Sequence, residues 1–323
     1  MLGMLAITCS PQTAQPSTAS RALACRIPVM VSVAGGEAPG GWINFPGGTF
    51  ESDASSLIDR GNGMEGISYD RALNRWVPAD WNHISLDGRR FALANGSDLV
   101  IVDAGNGTSR AIAMPPARGA WTILDFTTAG IYLSQMGGEG PADPGLWLLN
   151  PDSGQVRKLD GTQFWSQVDS RAAWGVNPGA GSVLLQRFDL KTGHITTQLA
   201  VPYHTPLLAG DESLQLISID SAGRPFVLLR DWQKPFPWHM AILEAANKLH
   251  DTPIPADWSA WSTADNGDPF QAWRDVHGYA LTGGIWMIGS DSFGGLALLG
   301  SDGAVRQLTP GPNNIFQISG GCH

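Results

Sequence analysis

One phrase is written into this chain several times over. Residues 145–159 read GLWLLNPDSGQVRKL: an apolar run, an Asn, a Gly four positions later and a second, more polar run. The same grammar opens at Asp98 (DLVIVDAGNGTSRAI) and at Leu184 (LLQRFDLKTGHITTQL), and in altered form at Gly295 (GLALLGSDGAVRQL). Asp103 precedes Gly107, Asn150 precedes Gly154 and Asp189 precedes Gly193. A tight turn between antiparallel strands requires this spacing. The Asp or Asn oxygen accepts backbone N–H groups at the start, and Gly supplies the positive φ that reverses the chain. YDRALNRWVP has the same shape, with Asp70 and Asn74. HMAILEAANKLHDTPI would pass alone for a short helix, but against the other copies it aligns as a strand hairpin. Six copies therefore end near residues 74, 107, 154, 193, 248 and 303.

A second phrase lies upstream of the first. It is SLDGRRFAL with Asp87, LDFTTAGIYL with Asp125, VDSRAAWGV with Asp169, SIDSAGRPFVL with Asp220 and RDVHGYAL with Asp275. Each reads as a strand, an Asp-led turn and another strand. Two hairpins per unit, at steps of 33 to 55 residues, spell the four-stranded blade of a β-propeller. A blade cannot bury both apolar faces alone, whereas stacking blades around an axis does so and hides most strand edges. The predicted fold is all-β: a six-bladed β-propeller, with seven blades as the alternative. It spans residues 25–323 as a single domain behind a signal remnant and linker at 1–24. Blade one is assigned to residues 26–78. The spare segment NNIFQISGGC is expected to return and pair with it, closing the ring.

At this level the chain resembles secreted bacterial propellers of the TolB-like and WD-repeat-like kind, in architecture and turn grammar. The resemblance implies a module that binds other molecules. The N-terminal MLGMLAITC followed by SPQTAQPSTAS resembles the end of a bacterial lipoprotein signal, with Cys9 as the lipidated residue. Ala6 and Thr8 stand where such signals carry Leu and a small residue. The remaining cysteines, Cys25 and Cys322, flank the folded region, and a disulfide joining the two ends is the favoured reading over two free thiols. Chain-entropy arguments cap its contribution at about 5 kcal/mol.

Composition narrows the partners. A net charge of −9 with 20 scattered basic residues argues against nucleic acid or an anionic membrane surface, since both reward clustered Lys and Arg. Membrane contact is expected only through the lipid anchor, and the chain is expected to be a monomer. Between the stereotyped turns run variable loops, predicted to lie together on the opposite face of the disc: QMGGEGPADPG, RDWQKPFPWH and PADWSAWSTADNGDPFQAW. They carry Trp232, Phe236, Trp238, Trp258 and Trp261, with Asp143, Asp265 and Asp268 beside them. Aromatic anchors on variable loops are typical of binding surfaces, so this face is the predicted contact for a protein or glycan partner. Trp121, Trp147, Trp174 and Trp286 sit in strand-like runs and are expected in the core.

Catalysis is the alternative, as a glycan or small-ester hydrolase with a site near the axis. TADNGDPF (263–270) resembles the Asp-box turn of sialidase-like propellers through Thr263, Asp265, Gly267 and Phe270, with Pro269 at the usual Thr position. Such boxes are structural turns, so no catalytic residue is assigned. The seven His show no close metal-ligand spacing, and His83, His194 and His277 are expected on exposed turns. No cofactor is assigned. Loop Asp side chains leave calcium as an option, without a twelve-residue calcium loop to support it.

Overall fold

The computed structural model describes residues 23–33, 36–37, 39–58, 66–95, 97–136, 143–203, 213–230, 238–253, 277–281, 283–288, 295–301, 303–307 and 315–323. It is a ring of six antiparallel sheets. Four consecutive sheets have the simple up-and-down order. They are Ala120–Thr127, Gly130–Met136, Leu146–Leu149 and Val156–Asp160 (blade three); Gln167–Val168, Ala172–Pro178, Ser182–Asp189 and Ile195–Pro202 (blade four); Leu214–Ile219, Pro225–Arg230, Trp238–Ala245 and Lys248–Thr252 (blade five); and His277–Leu281, Gly284–Ile288, Leu296–Gly300 and Val305–Gln307 (blade six). Blade two has three strands, Arg90–Asn95, Asp98–Asp103 and Ser109–Ala113, and its innermost position is reduced to a single bridge from Ile84 to Phe91.

Blade one is assembled from both ends of the domain. Cys25–Val33 pairs with Gly41–Phe45, which pairs with Phe50–Ser52. On its other side Cys25–Val33 takes the C-terminal strand Ile315–Ile318, antiparallel, with Val29 opposite Ile318 and Met30 opposite Gln317. Beyond that strand, Arg26 and His323 exchange both backbone hydrogen bonds at 2.9 and 2.8 Å. Cys25 and Cys322 are joined by a disulfide, their Cα atoms 5.5 Å apart. The seal expected from the two ends is therefore present, in both its strand and its sulfur parts.

The turn chemistry is as the spacing demands. Asp103 Oδ1 accepts from the N–H groups of Gly105 and Asn106, and Asn150 Oδ1 from those of Asp152 and Ser153. Asp189 Oδ1 accepts from Lys191 and Thr192. HMAILEAANKLHDTPI is two strands, turning at Asn247 with φ 55°.

One copy is misplaced by the sequence reading. The YDRALNRWVP hairpin, Ser68–Asp70 with Arg75–Val77, forms a separate two-stranded sheet and not the outer half of blade one. The outer turn of blade one lies earlier, at Asn44–Gly48: the Gly48 N–H donates to the Asn44 carbonyl at 2.7 Å, and Gly48 has φ 77°. Residues 44 and 48 carry the same Asn-to-Gly spacing as the other copies. The count of six blades holds because one copy was overlooked and one hairpin counted in its place.

That extra hairpin fills the wedge between blades one and two. Trp76 packs with Met30 of blade one and Val77 with Phe91 of blade two. Asp53 ties it down by accepting from the indole N–H groups of Trp76 (2.9 Å) and Trp42 (3.2 Å). Elsewhere the core lies between neighbouring blades. Trp286 of blade six is fully buried against Phe45 of blade one, ring centroids 4.8 Å apart. Trp121, Trp147 and Trp174 are buried as expected. His83 is a correction: it is 8% exposed, not on an open turn.

Candidate functional site at the propeller axis

The innermost strands surround a channel made of three successive cavities. The first, about 510 Å³, opens on the face formed by the hairpin turns, where its rim includes Leu86, Thr128 and Ala129. The second, about 360 Å³, is walled by the inner segments of blades two to six, among them Asn82, Gln167, Ser218 and Tyr279. The third, about 430 Å³, lies toward the other face, with Gln135, Phe164 and Gln215 in its wall. Trp81, Asp125 and Asp169 belong to both the first and the second cavity, and so form the throat between them.

Two β-bulges shape this wall. The inner strand of blade three gains a residue between Ile123 and Asp125, and that of blade five between Leu216 and Ser218. A bulge leaves the carbonyl of its extra residue without a ladder partner. A side-chain amide from the preceding blade supplies each one. Asn82 Nδ2 donates to the Leu124 carbonyl at 3.0 Å, and Gln167 Nε2 to the Ile217 carbonyl at 2.9 Å. The two amides thus fix the bulges, and the blade-three bulge places Asp125 at the throat.

Asp125 corrects a third expectation. It does not lead a turn; the turn of that hairpin is built by Thr127, whose Oγ1 accepts from the Ala129 N–H at 3.1 Å. Asp125 stands two residues earlier, within the strand. Burial raises its carboxyl to about 6, while the Phe126 N–H and the nearby His83 act to lower it. Asp169, across the throat, is occupied by its turn: it accepts from the N–H groups of Arg171 (2.6 Å) and Ala172 (2.9 Å) and from the Trp174 indole (3.0 Å). Asp70 stands in the wall of the first cavity. Its Oδ1 accepts from the N–H groups of Ala72 and Leu73, and its Oδ2 is buried without a hydrogen-bond partner. Burial raises its carboxyl, partly offset by those N–H groups. In the second cavity burial and the neighbouring Asp80 push the Tyr279 phenol up, against the N–H of Ile318.

The residues singled out from the variable loops fare differently. Asp143 lies at the end of the blade-three loop, where its N–H donates to Gln135 Oε1 (3.3 Å) and its carboxylate faces Arg118 at 3.7 Å. Gln135 links this loop to the third cavity. Trp238 begins the third strand of blade five, opposite Arg230. Trp232, Phe236, Trp258, Trp261, Asp265 and Asp268 lie outside the described residues, as do Cys9, Asp275 and the whole Asp-box segment 263–270. The blade-six hairpin reverses at Gly283, and the described part of RDVHGYAL, His277–Leu281, is its first strand. No group of three or more His, Cys, Asp or Glu suited to a metal ion occurs among the described residues, and no helix among them is long and apolar enough to cross a membrane.

No protein-family model matches the chain, and no curated protein does. Solved structures do resemble it. TolB from Acinetobacter baumannii is 13% identical with a TM-score of 0.48, over 93% of this chain and 65% of that one; this chain thus spans a little under two thirds of that protein's length. A protein assigned as TolB from Agrobacterium tumefaciens is 12% identical with a TM-score of 0.49, over 79% and 91% of the two chains. A Bacteroides fragilis protein assigned as a 6-phosphogluconolactonase is 11% identical with a TM-score of 0.49, over 91% and 96%. The likeness to the TolB structures is one of propeller architecture.

Proposed function

We propose that this protein is an extracytoplasmic binding module whose ligand enters along the propeller axis from the turn face. The observation that carries the reading is the channel. A cavity of about 510 Å³ has the size of small-molecule sites, with mostly apolar walls and a few fixed polar groups converging at the throat. The compartment is argued from the disulfide, because such a bond persists in oxidising surroundings. Anchoring through Cys9 and docking of a protein or glycan partner on the variable-loop face, through Trp258 and Trp261, complete the proposal.

The test is ligand capture. The protein is incubated with envelope extract, recovered and analysed by mass spectrometry for released small molecules, beside a Leu86→Arg variant that places a bulky charge at the rim. A compound retained by the parent and lost by the variant supports the reading; identical profiles refute it. Changing Trp258 and Trp261 to Ala tests the loop face by the macromolecules recovered, and Cys9→Ser tests the anchor by membrane partitioning. A hydrolase is favoured by one observation, a channel carboxyl raised to about 6, where a general base works well. The other throat carboxylate, Asp169, already accepts three hydrogen bonds, which leaves Asp125 without a ready acid–base partner. Ester or glycoside turnover abolished by Asp125→Asn would reverse the order of the two readings.

A further inference from the structure

We propose that the axial site takes an organic cation, a protonated amine on a small apolar body, with the amine at the Asp125 throat and the body against Trp81. The inference rests on the axial-binding reading and adds the chemical class of the ligand. Three observations on different elements converge on it.

The first is the sign of the wall. The first cavity is faced by three carboxylates, Asp70 from the inserted hairpin, Asp125 from blade three and Asp169 from blade four, against one cation, Arg71. His83 faces Asp125 from the turn Trp81–His83, Arg75 and Asp87 act on Asp70 with opposite signs, Asp80 neighbours Tyr279, and Tyr132 and Tyr279 are phenols whose hydroxyls burial keeps neutral. The second is Asp70 itself. It is 3% exposed, and its Oδ2 has no hydrogen-bond donor. An unsatisfied buried carboxylate oxygen is costly, and a cation held in the adjoining cavity is the kind of group that offsets it. The third is the apolar remainder. Trp81 offers ring surface near the throat, and Ile84, Leu86 and Leu281 line the approach, with Leu86 82% exposed at the rim. Ring faces attract cations and also cover an apolar stem. A free metal ion would gain nothing from this apolar wall, and an anion would meet the wrong field.

The probe is 2-phenylethylammonium, compared with its uncharged isostere 2-phenylethanol and the anion 3-phenylpropanoate, by ligand-observed NMR on the full chain at pH 7.5. The amine is expected to bind at least tenfold more tightly than either analogue. That preference is expected to collapse in Asp125→Asn and to fall severalfold in Thr128→Lys, which adds a positive charge on the exposed rim without touching the packing. Binding of the amine should also weaken as the pH falls below about 6, where Asp125 takes its proton. Equal binding of the three probes, or a preference unchanged in both variants, overturns the cation assignment. The capture experiment with Leu86→Arg decides the axial site independently. If it succeeds while the probes fail to discriminate, the site stands and its ligand class is different.

Discussion

Replacing Asp125 by Asn isolates the cost of holding a carboxylate at the throat. Asn keeps the shape and an oxygen for the Phe126 N–H, and removes only the charge. In the folded protein burial lifts the carboxyl from its ordinary 3.8 to about 6. The folded state therefore binds the proton more tightly than the unfolded chain does. Well below pH 4 both states are protonated and the residue costs nothing; from there to about 6 a rising pH removes stability; above 6 the full penalty is present. The gap between the two values corresponds to at most about 3 kcal/mol, since each pK unit is worth about 1.36 kcal/mol. Urea unfolding of both proteins in steps from pH 4 to pH 8 reads this directly. The variant should match the parent at pH 4 and exceed it by about 2–3 kcal/mol at pH 8, with the change centred near pH 5. Because other carboxylates titrate alike in both proteins, the difference cancels them. A gap that is constant with pH, or a variant less stable at pH 8, would show that the carboxyl is not desolvated and that its place at the throat has been misread.

Three further outcomes follow from the same geometry. Asp53→Ala should cost about 1 kcal/mol at pH 7 by denaturant unfolding, a modest value because the carboxyl is part-exposed and water screens it. Burial acts to raise Asp53, but Ser55 and the indoles of Trp76 and Trp42 overcome it and hold the carboxyl at about 2, so the loss should shrink as the pH falls from about 4 through 2. Gly88→Ala should destabilise by about 2 kcal/mol or more and Gly107→Ala by about 1 kcal/mol. Both have positive φ, but a Cβ at 88 would meet Ala72 Cβ at 2.4 Å whereas one at 107 meets nothing within 4 Å; equal losses would argue against the close approach of the inserted hairpin to blade two. Finally, peptide mapping without reductant should yield a Cys25–Cys322 cross-link, and changing both to Ser should lower stability by up to about 5 kcal/mol, since the bond closes a loop across a sequence separation of 297.

The parts of this fold that a reader of the sequence can find are those whose chemistry is local. An Asp or Asn four residues before a Gly fixes a turn through hydrogen bonds within five residues, and Asp103, Asn150 and Asp189 make them. The same signal stood at Asn44 and Gly48, while YDRALNRWVP, a hairpin of the same shape, was counted as the copy in its place. The ring seal was legible because two isolated cysteines and a spare strand gave the same answer. The throat was not. In sequence LDFTTAGIYL and SIDSAGRPFVL both read as a strand, an Asp and a Gly-containing turn, yet Asp220 caps a turn with both oxygens engaged and Asp125, five residues rather than three before its Gly, faces the axis. What separates them is how the register and turn of each hairpin settle. In blade three the extra residue is stabilised by Asn82, 42 positions away in the chain, through the Leu124 carbonyl. A motif read along the strand cannot see a partner contributed by the neighbouring blade. In a propeller the framework is written blade by blade, but the axis is composed by all of them, one or two residues each. Its chemistry therefore resides in the residues that depart from the repeat.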